Sequence, residues 1–153
     1  MDALDVKILR LLQQNARMNV TSLSNELSLS RPSVAERLHR LEERGVIEGY
    51  TARVSPQAVG RDTQLVIQIA DLRVTPQQFE QWAQTQEDIV ECHRVTGHAS
   101  HFIQAAVVGT PGLRELVDRL MDFGTVQTSV VLSSPVAYRP MLPPDASQIE
   151  QSR

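Results

Sequence analysis

The stretch "SRPSVAERLHRLEERG" spans residues 30–45 and concentrates four arginines in a chain whose net charge is -3. At 100° per residue, Val34, Leu38 and Leu41 fall within about 40° of one direction, which predicts a helix with one buried stripe. A mostly basic row follows one flank of that stripe and comprises Ser33, Arg37, Arg40 and Arg44. The pattern predicts an amphipathic helix whose exposed side is positively charged.

Two further helices precede this one. Asp2 and Asn19 are of the residue types that cap helix N-termini, and each stands before leucines at helical spacing. Ser30 has the same property for the arginine-rich helix, and Gly45 is a suitable residue at which that helix ends. Three short helices with a tight second connection predict a helix-turn-helix unit. The following "VIEGYTARV" predicts a short hairpin, or wing, and then a strand.

A basic row on the last helix of such a unit favours double-stranded DNA as its partner. The N-terminal residues of this helix would meet base edges in the major groove, and arginines further along would meet phosphates. The candidate DNA-binding residues are Ser30, Arg31, Ser33, Val34, Arg37, Arg40 and Arg44. The charge pattern alone fits a solvated helix equally well, with Glu36 paired to Arg40 at i, i+4. The helix-turn-helix context favours DNA.

The second half of the chain alternates strand and helix signals. Apolar and β-branched runs predict strands at 63–73, 89–97, 101–109 and 126–134, with helices capped by Thr75 and started at Thr110. This βαββαβ order is that of a ferredoxin-like domain, so the predicted fold class is α+β. The predicted divisions are a winged helix-turn-helix domain at 1–53, a linker at 54–62, a ferredoxin-like domain for oligomerisation and effector sensing at 63–138, and a C-terminal tail at 139–153.

The predicted sheet requires a partner. Both helices would cover one face, yet consecutive apolar residues at 65–67, 105–108 and 130–132 predict that both faces are apolar. A second copy packed sheet to sheet would cover the other face. We therefore expect a homodimer or a larger assembly of dimers, up to an octamer, which would present two recognition helices to a palindromic DNA site.

Composition restricts the other classes of function. Aromatic residues make up 4% of the chain, which disfavours a base-stacking platform, and no apolar run is long enough to span a membrane. The N-terminus does not resemble a signal peptide and Cys92 is the single cysteine, so we expect a cytoplasmic protein without disulfides. His98 and His101, with Glu91, Cys92 and His93 nearby, suggest a metal site, but the predicted strand places Glu91 and His93 opposite Cys92, so none is expected.

Catalytic and cofactor-binding motifs are not found in the sequence, so the chain is not expected to be an enzyme or to need a cofactor. Two alternatives remain open, since this fold supports many activities. One is a small-molecule enzyme of ferredoxin-like fold, which would need an acid and a base lining a pocket, or a small-molecule-binding module of the same fold that does not bind DNA. The other is an assembly module whose arginine row does not bind duplex DNA.

Nearly the whole chain, from about residue 2 to 140, resembles the Lrp/AsnC (feast/famine) family of transcription regulators. The matching segments are "LDVKILRLLQQNARMN" (4–19), "LSRPSVAERLHRLEERGVIEGYTA" (29–52) and "VTGHASHFI" (95–103), of which "RLEERGVIEGYTA" (40–52) is the most specific. The resemblance implies a DNA-binding N-terminal domain and a C-terminal domain that assembles the protein and senses amino acids.

The resemblance also implies an effector site near Gly97, at an interface between dimers. The implied residues are Thr96, Gly97, His98, Ala99, Ser100 and His101. Family members commonly have an acidic residue followed by an aromatic where this chain has Ser100 and His101. The carboxylate that would anchor an effector's amino group is therefore missing at that position.

Overall fold

A computed structural model describes residues 1–144 of the 153-residue chain. Its described residues divide into two compact units, one formed by Met1–Arg53 together with residues 136–144 and the other by Val54–Pro135. Among residues 1–144, no helix has both the length and the apolar character needed to cross a membrane.

The first unit contains three helices: α1 (Ala3–Gln14), α2 (Val20–Leu27) and α3 (Arg31–Glu43). Each begins where the sequence predicts, because Asp2, Asn19 and Ser30 each accept a hydrogen bond from a backbone N–H in the first turn. Gly45 adopts a left-handed φ of 66° just after α3, which confirms it as the residue that ends the helix.

The core of this unit holds α3 by its apolar stripe. Val34 is fully buried and Leu41 is 4% exposed, and both pack with residues of α1 and α2. Leu38 is half-buried against the same cluster. The rotation of α3 about its axis therefore follows from which of its side chains are apolar.

The segment after α3 does not form the predicted wing. Residues 46–53, all within the described part of the chain, form no strand. The N–H groups of Val46 and Ile47 both donate to the Leu41 carbonyl at the end of α3, so they are not free to start a hairpin. Tyr50 donates its hydroxyl to Glu42 at 2.8 Å, and burial together with this bond raises its pKa to about 12. The segment is thus attached to α3, and the hairpin prediction is wrong.

The C-terminal segment lies against α1. The side-chain amide of Gln13 bonds both the N–H and the carbonyl of Met141, at 2.8 and 2.9 Å, and accepts from the Tyr138 hydroxyl at 3.0 Å. Arg53 stacks over the Tyr138 ring, and Leu142 packs against the core of this unit. Part of the predicted tail at 139–153 is therefore bound to its own chain, while 145–153 lies outside the described residues.

The second unit is a four-stranded antiparallel sheet with two helices. In chain order its elements are β1 (Thr63–Ala70), α4 (Pro76–Ala83), β2 (Ile89–Arg94), β3 (His101–Val107), α5 (Gly109–Met121) and β4 (Thr125–Val130), after a 3-10 turn at Gln57–Val59. The strand order is β2-β3-β1-β4, with β1 in the centre beside β3 and β4. The predicted βαββαβ order is confirmed.

Both helices pack on one face of the sheet. Phe79 of α4 and Leu116 and Leu120 of α5 are fully buried, and they meet the alternate strand residues Leu65, Ile67, Ile69, Ile103, Ala105 and Val107. Thr75 and Gln78 form a reciprocal cap at the start of α4, with Pro76 as its first residue, as the sequence predicts.

The opposite face is less apolar than the sequence suggests. Strand residues alternate between faces, so of the apolar run at 65–67 only Val66 lies on this side. Val66 and Phe102 share the face with four glutamines: Gln64, Gln68, Gln104 and Gln127. Of the run at 130–132, Val130 pairs with Leu65 on the helix side, while Val131, whose N–H donates to the Gln64 carbonyl, falls by alternation on the opposite side. The face opposite the helices is therefore more polar than the sequence predicts.

Gly124 provides a test of this packing. A Cβ at this position would lie 2.4 Å from the Ala70 carbonyl oxygen and 3.2 Å from Cγ1 of Ile69. We expect Gly124→Ala to lower the free energy of unfolding by about 1–3 kcal/mol, measured by chemical denaturation, because β4 must move away from β1. Gly49→Ala is the matched control, since a Cβ there meets nothing within 4 Å. Equal stability of the two variants would contradict this packing.

Candidate functional site

The exposed side of α3 carries three of the predicted arginines. Arg31, at the first position of the helix, and Arg40 and Arg44 near its end are all exposed. Within the described residues, these three side chains make no ion pair shorter than 4 Å. Ser30 is exposed and caps the helix by accepting from the N–H of the half-buried Ser33 at 3.3 Å.

Val34 does not belong to this surface. Its side chain is fully buried in the core of the first unit. A buried side chain cannot contact a base edge, so the DNA-binding role predicted for Val34 is wrong. The same periodicity that placed Val34 on the apolar stripe explains why.

Arg37 is also turned away from solvent. Its Nη1 donates to Oδ2 of Asp2 at 2.7 Å and to Oδ1 of Asp5 at 2.6 Å, and its side chain is 17% exposed. Both carboxylates belong to the first turn of α1. Arg37 is thus engaged within the unit, unlike the other arginines of the predicted basic row.

The charges of this cluster stabilise one another. The pKa of Asp2 lies below its ordinary value, because bonds from the Asp5 N–H and from Arg37 outweigh the desolvation that would raise it. The bond to Asp2 raises the pKa of Arg37, against the opposing effect of burial. Arg37 and Asp2 are therefore both charged at neutral pH.

Of the predicted effector residues, Thr96 to Ser100 form the turn between β2 and β3, and His101 is the first residue of β3. Thr96, Gly97 and His98 are exposed, and Gly97 has a φ of 113°. The N–H and the hydroxyl of Ser100 both donate to the Ile69 carbonyl, at 2.8 and 3.0 Å. A carboxylate in place of this hydroxyl could not donate to the Ile69 carbonyl, because a carboxylate only accepts.

Of these residues, His101 lines a cavity. The cavity, of about 480 Å³, lies between α4 and β2 in the second unit. His101 is fully buried, and its Nε2 lies 3.2 Å from Oε1 of Glu80. Because a carboxylate only accepts, Nε2 carries the hydrogen of this bond, and the buried Nδ1 has no partner among the described residues.

The cavity also contains a positive charge and a thiol. The guanidinium of Arg94 lies 3.9 Å from Glu80 and is more than half exposed. Cys92 is half-buried in the lining, where burial first and the Glu80 charge second raise the pKa of its thiol. A small zwitterion would meet opposite charges here. Within residues 1–144, no three His, Cys, Asp or Glu side chains come close enough together to hold a metal ion.

Sequence reasoning missed four residues of these sites. Asp2 was noticed only as a cap, and Asp5 not at all, although both stand in the first turn of α1. Glu80 and Arg94 have no distinguishing local pattern, because each becomes significant only beside His101 in the folded sheet.

Comparisons with known proteins agree with this architecture. Residues 1–42 match the AsnC-type helix-turn-helix domain, and residues 65–141 match the Lrp/AsnC ligand binding domain. These two matches include α3 except its last residue, Glu43, and the cavity between α4 and β2.

Individual relatives cover most of the chain. The leucine-responsive regulatory protein of Haemophilus influenzae is 33% identical over 139 residues, which are 86% of this chain and 84% of that protein. A transcriptional regulator from Neisseria meningitidis, solved in complex with L-Met, has a TM-score of 0.85 at 25% identity and covers 97% of this chain and 99% of its own. The structure of LrpC from Bacillus subtilis has a TM-score of 0.86 at 23% identity, over 90% of this chain and 99% of its own. The chain belongs to the Lrp/AsnC family of transcription regulators.

Proposed function

We propose that this protein is a sequence-specific DNA-binding transcription regulator that reads duplex DNA with the exposed side of α3, acts as a homodimer or a larger assembly of dimers, and responds to an amino acid. The observation that carries the proposal is the exposure of Arg31, Arg40 and Arg44 on a helix whose apolar stripe is buried. Since its partner is chromosomal DNA, we place the protein in the cytoplasm.

The arginines have different roles in this proposal. Arg31 stands at the tip of the helix, where an arginine can pair with both acceptors of a guanine edge. Arg40 and Arg44 lie about two and a half and three and a half turns further along, at a distance suited to the phosphate backbone. Ser30 and Ser33, at the same end as Arg31, are suited to short contacts with the backbone or bases.

These roles predict different effects of two substitutions. Arg31→Ala should relax base preference at one position by about 1–3 kcal/mol of discrimination. Arg40→Ala should weaken binding to all sequences and lower the slope of log K against log salt by about one. The measurement is selection of sites from random duplexes, followed by titrations at several salt concentrations. Arg114→Ala, on α5 in the second unit, is the control for loss of charge.

Failure of the purified protein to bind any duplex at low salt would favour the alternative, an assembly or ligand-binding module without DNA binding. An unchanged base preference in Arg31→Ala would refute its role at the base edge.

A second copy is proposed to cover the sheet face opposite the helices. Val66 lies near the centre of that face, between Gln104 of β3 and Ser129 of β4. Phe102 is 37% exposed on the same side, and Ala70 and Ala106 are small enough for close approach. Glutamine amides around this centre can donate and accept, so two copies of the face can satisfy one another. An octamer of four dimers is the largest assembly that we propose.

We expect Val66→Lys to shift the protein towards monomer in sedimentation velocity, because a dimer would bury two ammonium groups at its centre. Val108→Lys is the control, since Val108 is 66% exposed beyond the end of β3. A wild-type protein that sediments as a monomer, or a Val66→Lys variant of unchanged mass, would contradict the sheet-to-sheet dimer.

The effector is proposed to be an amino acid bound in the cavity between α4 and β2, close to the turn at 96–101. Glu80 would accept from its ammonium group and Arg94 would donate to its carboxylate, while Ala83 and Ile89 would contact its side chain. Two comparisons support this class of ligand: the Haemophilus relative is named leucine-responsive, and the Neisseria structure contains L-Met.

Calorimetry with a panel of amino acids tests the cavity. We expect Arg94→Gln to weaken binding of the best ligand by about tenfold or more, because a hydrogen bond to a charged group contributes about 1.5–3 kcal/mol. The amide of the same amino acid, which lacks the carboxylate, should bind poorly to the wild type and equally poorly to the variant. Arg114→Gln serves as the control. If Arg94→Gln binds the amino acid with the same heat and affinity as the wild type, the effector binds elsewhere.

A further inference from the structure

Arg37 lies at the centre of a closed network with the first turn of α1. Oδ1 of Asp2 accepts from the Asp5 N–H at 2.9 Å, and Oδ2 of Asp5 accepts from the Asp2 N–H at 3.1 Å. The remaining oxygen of each carboxylate accepts from Nη1 of Arg37, at 2.7 and 2.6 Å. Each aspartate therefore caps α1 with one oxygen and holds α3 with the other.

The carboxylates of this network disfavour a phosphate at Arg37. Nη1 carries two hydrogens, and both are used by the carboxylates, which leaves only the donors of Nη2 and Nε. Asp2 remains 54% exposed beside Arg37, and the cavity that these residues line also includes Arg40 and Arg44. A phosphate approaching Arg37 would have to compete with the two carboxylates already bound to it. The position of Arg37 in the sequence pattern suggests a DNA contact, but its surroundings oppose one.

The network acts on the orientation of α3. Apolar contacts of Val34 and Leu41 hold the helix against the core, but such contacts are non-directional and tolerate small rotations. Hydrogen bonds from a planar guanidinium are directional. Base readout requires side chains held to within about 0.5 Å and 10–20°. Arg37 is six residues from Arg31, about 9 Å along the axis, so rotation of the helix at Arg37 also moves its tip.

We propose that Arg37 is a positioning residue, which fixes the rotation of α3 through Asp2 and Asp5 so that the tip of the helix reads bases, and that it does not contact the DNA backbone. This proposal rests on the proposed DNA-binding function. It assigns to Asp5, a carboxylate 12% exposed in the DNA-binding unit, a favourable role in DNA recognition.

Asp5→Asn separates the two roles of Arg37 because they predict opposite signs. Asparagine can keep the cap with its oxygen, but its NH₂ group would face the donor Nη1. If Arg37 positions α3, Asp5→Asn should bind the selected duplex about tenfold more weakly, bind a scrambled duplex as the wild type does, and retain the salt slope. If Arg37 instead contacts phosphate, loss of the carboxylate frees it, and binding to both duplexes should tighten.

Arg37→Lys provides a second, independent variant. A lysine keeps the positive charge but not the planar donor geometry. The positioning role predicts that Arg37→Lys lowers the ratio of affinity for the selected duplex to affinity for the scrambled duplex, as Asp5→Asn does. It also predicts that the double variant lowers this ratio no further than either single variant. A phosphate role predicts that the lysine retains most of the affinity and the salt slope.

Control measurements keep the outcomes distinct. Asp118→Asn removes a carboxylate from α5 in the second unit and should leave the ratio unchanged. Circular dichroism gives the folded fraction of each variant, and a loss of folded protein would lower binding to both duplexes equally, leaving their ratio intact. A wild type without any duplex binding defeats the proposed function. If the wild type binds DNA, and Asp5→Asn and Arg37→Lys both keep its ratio of selected to scrambled affinity, only the positioning role is refuted.

Discussion

The burial of one narrow apolar stripe decides how α3 presents its charges. Val34 and Leu41 are enclosed by α1 and α2, and they leave no second rotation in which the helix could bury comparable apolar surface. From this constraint it follows that Arg31, Arg40 and Arg44 face solvent. It also follows that Arg37, which borders the stripe, meets the start of α1. The same rotation thus divides the arginines into a surface set and an internal one.

The second unit has a comparable division between its two sheet faces. The helix side is filled by Phe79, Leu116 and Leu120, while the other side presents amides around Val66. The fully buried His101 is the exception on the helix side, since its imidazole needs the carboxylate of Glu80 as a partner. Glu80 in turn contributes a negative charge to the cavity wall, with Arg94 beside it. The cavity between α4 and β2 is therefore connected directly to the core through His101.

The features that the sequence predicts well are those that depend on neighbours in the chain. The caps at Asp2, Asn19, Ser30 and Thr75 and the order of strands and helices all follow from local residue types and periodicity. Local patterns also mislead when one pattern has two interpretations. Val34 belonged both to the apolar stripe and to the N-terminal turn of the recognition helix, and the free energy of burial decides for the stripe.

Contacts between distant residues could not be predicted from one sequence. Asp5 and Arg37 are 32 residues apart, and Glu80 and His101 are 21 apart, with nothing in either local sequence that points to the other. The wing failed for a related reason. Residues 46–50 do have strand character, but the end of α3 supplies unpaired carbonyls that compete for their N–H groups, and a two-stranded hairpin is marginal without further support.

The loss of Arg37 from the DNA-facing set has a consequence for affinity under the proposed function. Arg40 and Arg44, the two exposed arginines of α3 assigned to phosphates, would neutralise about two of them, which corresponds to a salt slope of about -2 for one copy. This is a weak electrostatic contribution for a chain whose net charge is -3. Two copies that bind one site together double the contacts at little additional entropic cost, because the second helix is already held near the DNA. Assembly and DNA binding are then thermodynamically linked, and an effector that binds one assembly state more tightly than another changes DNA affinity without touching α3.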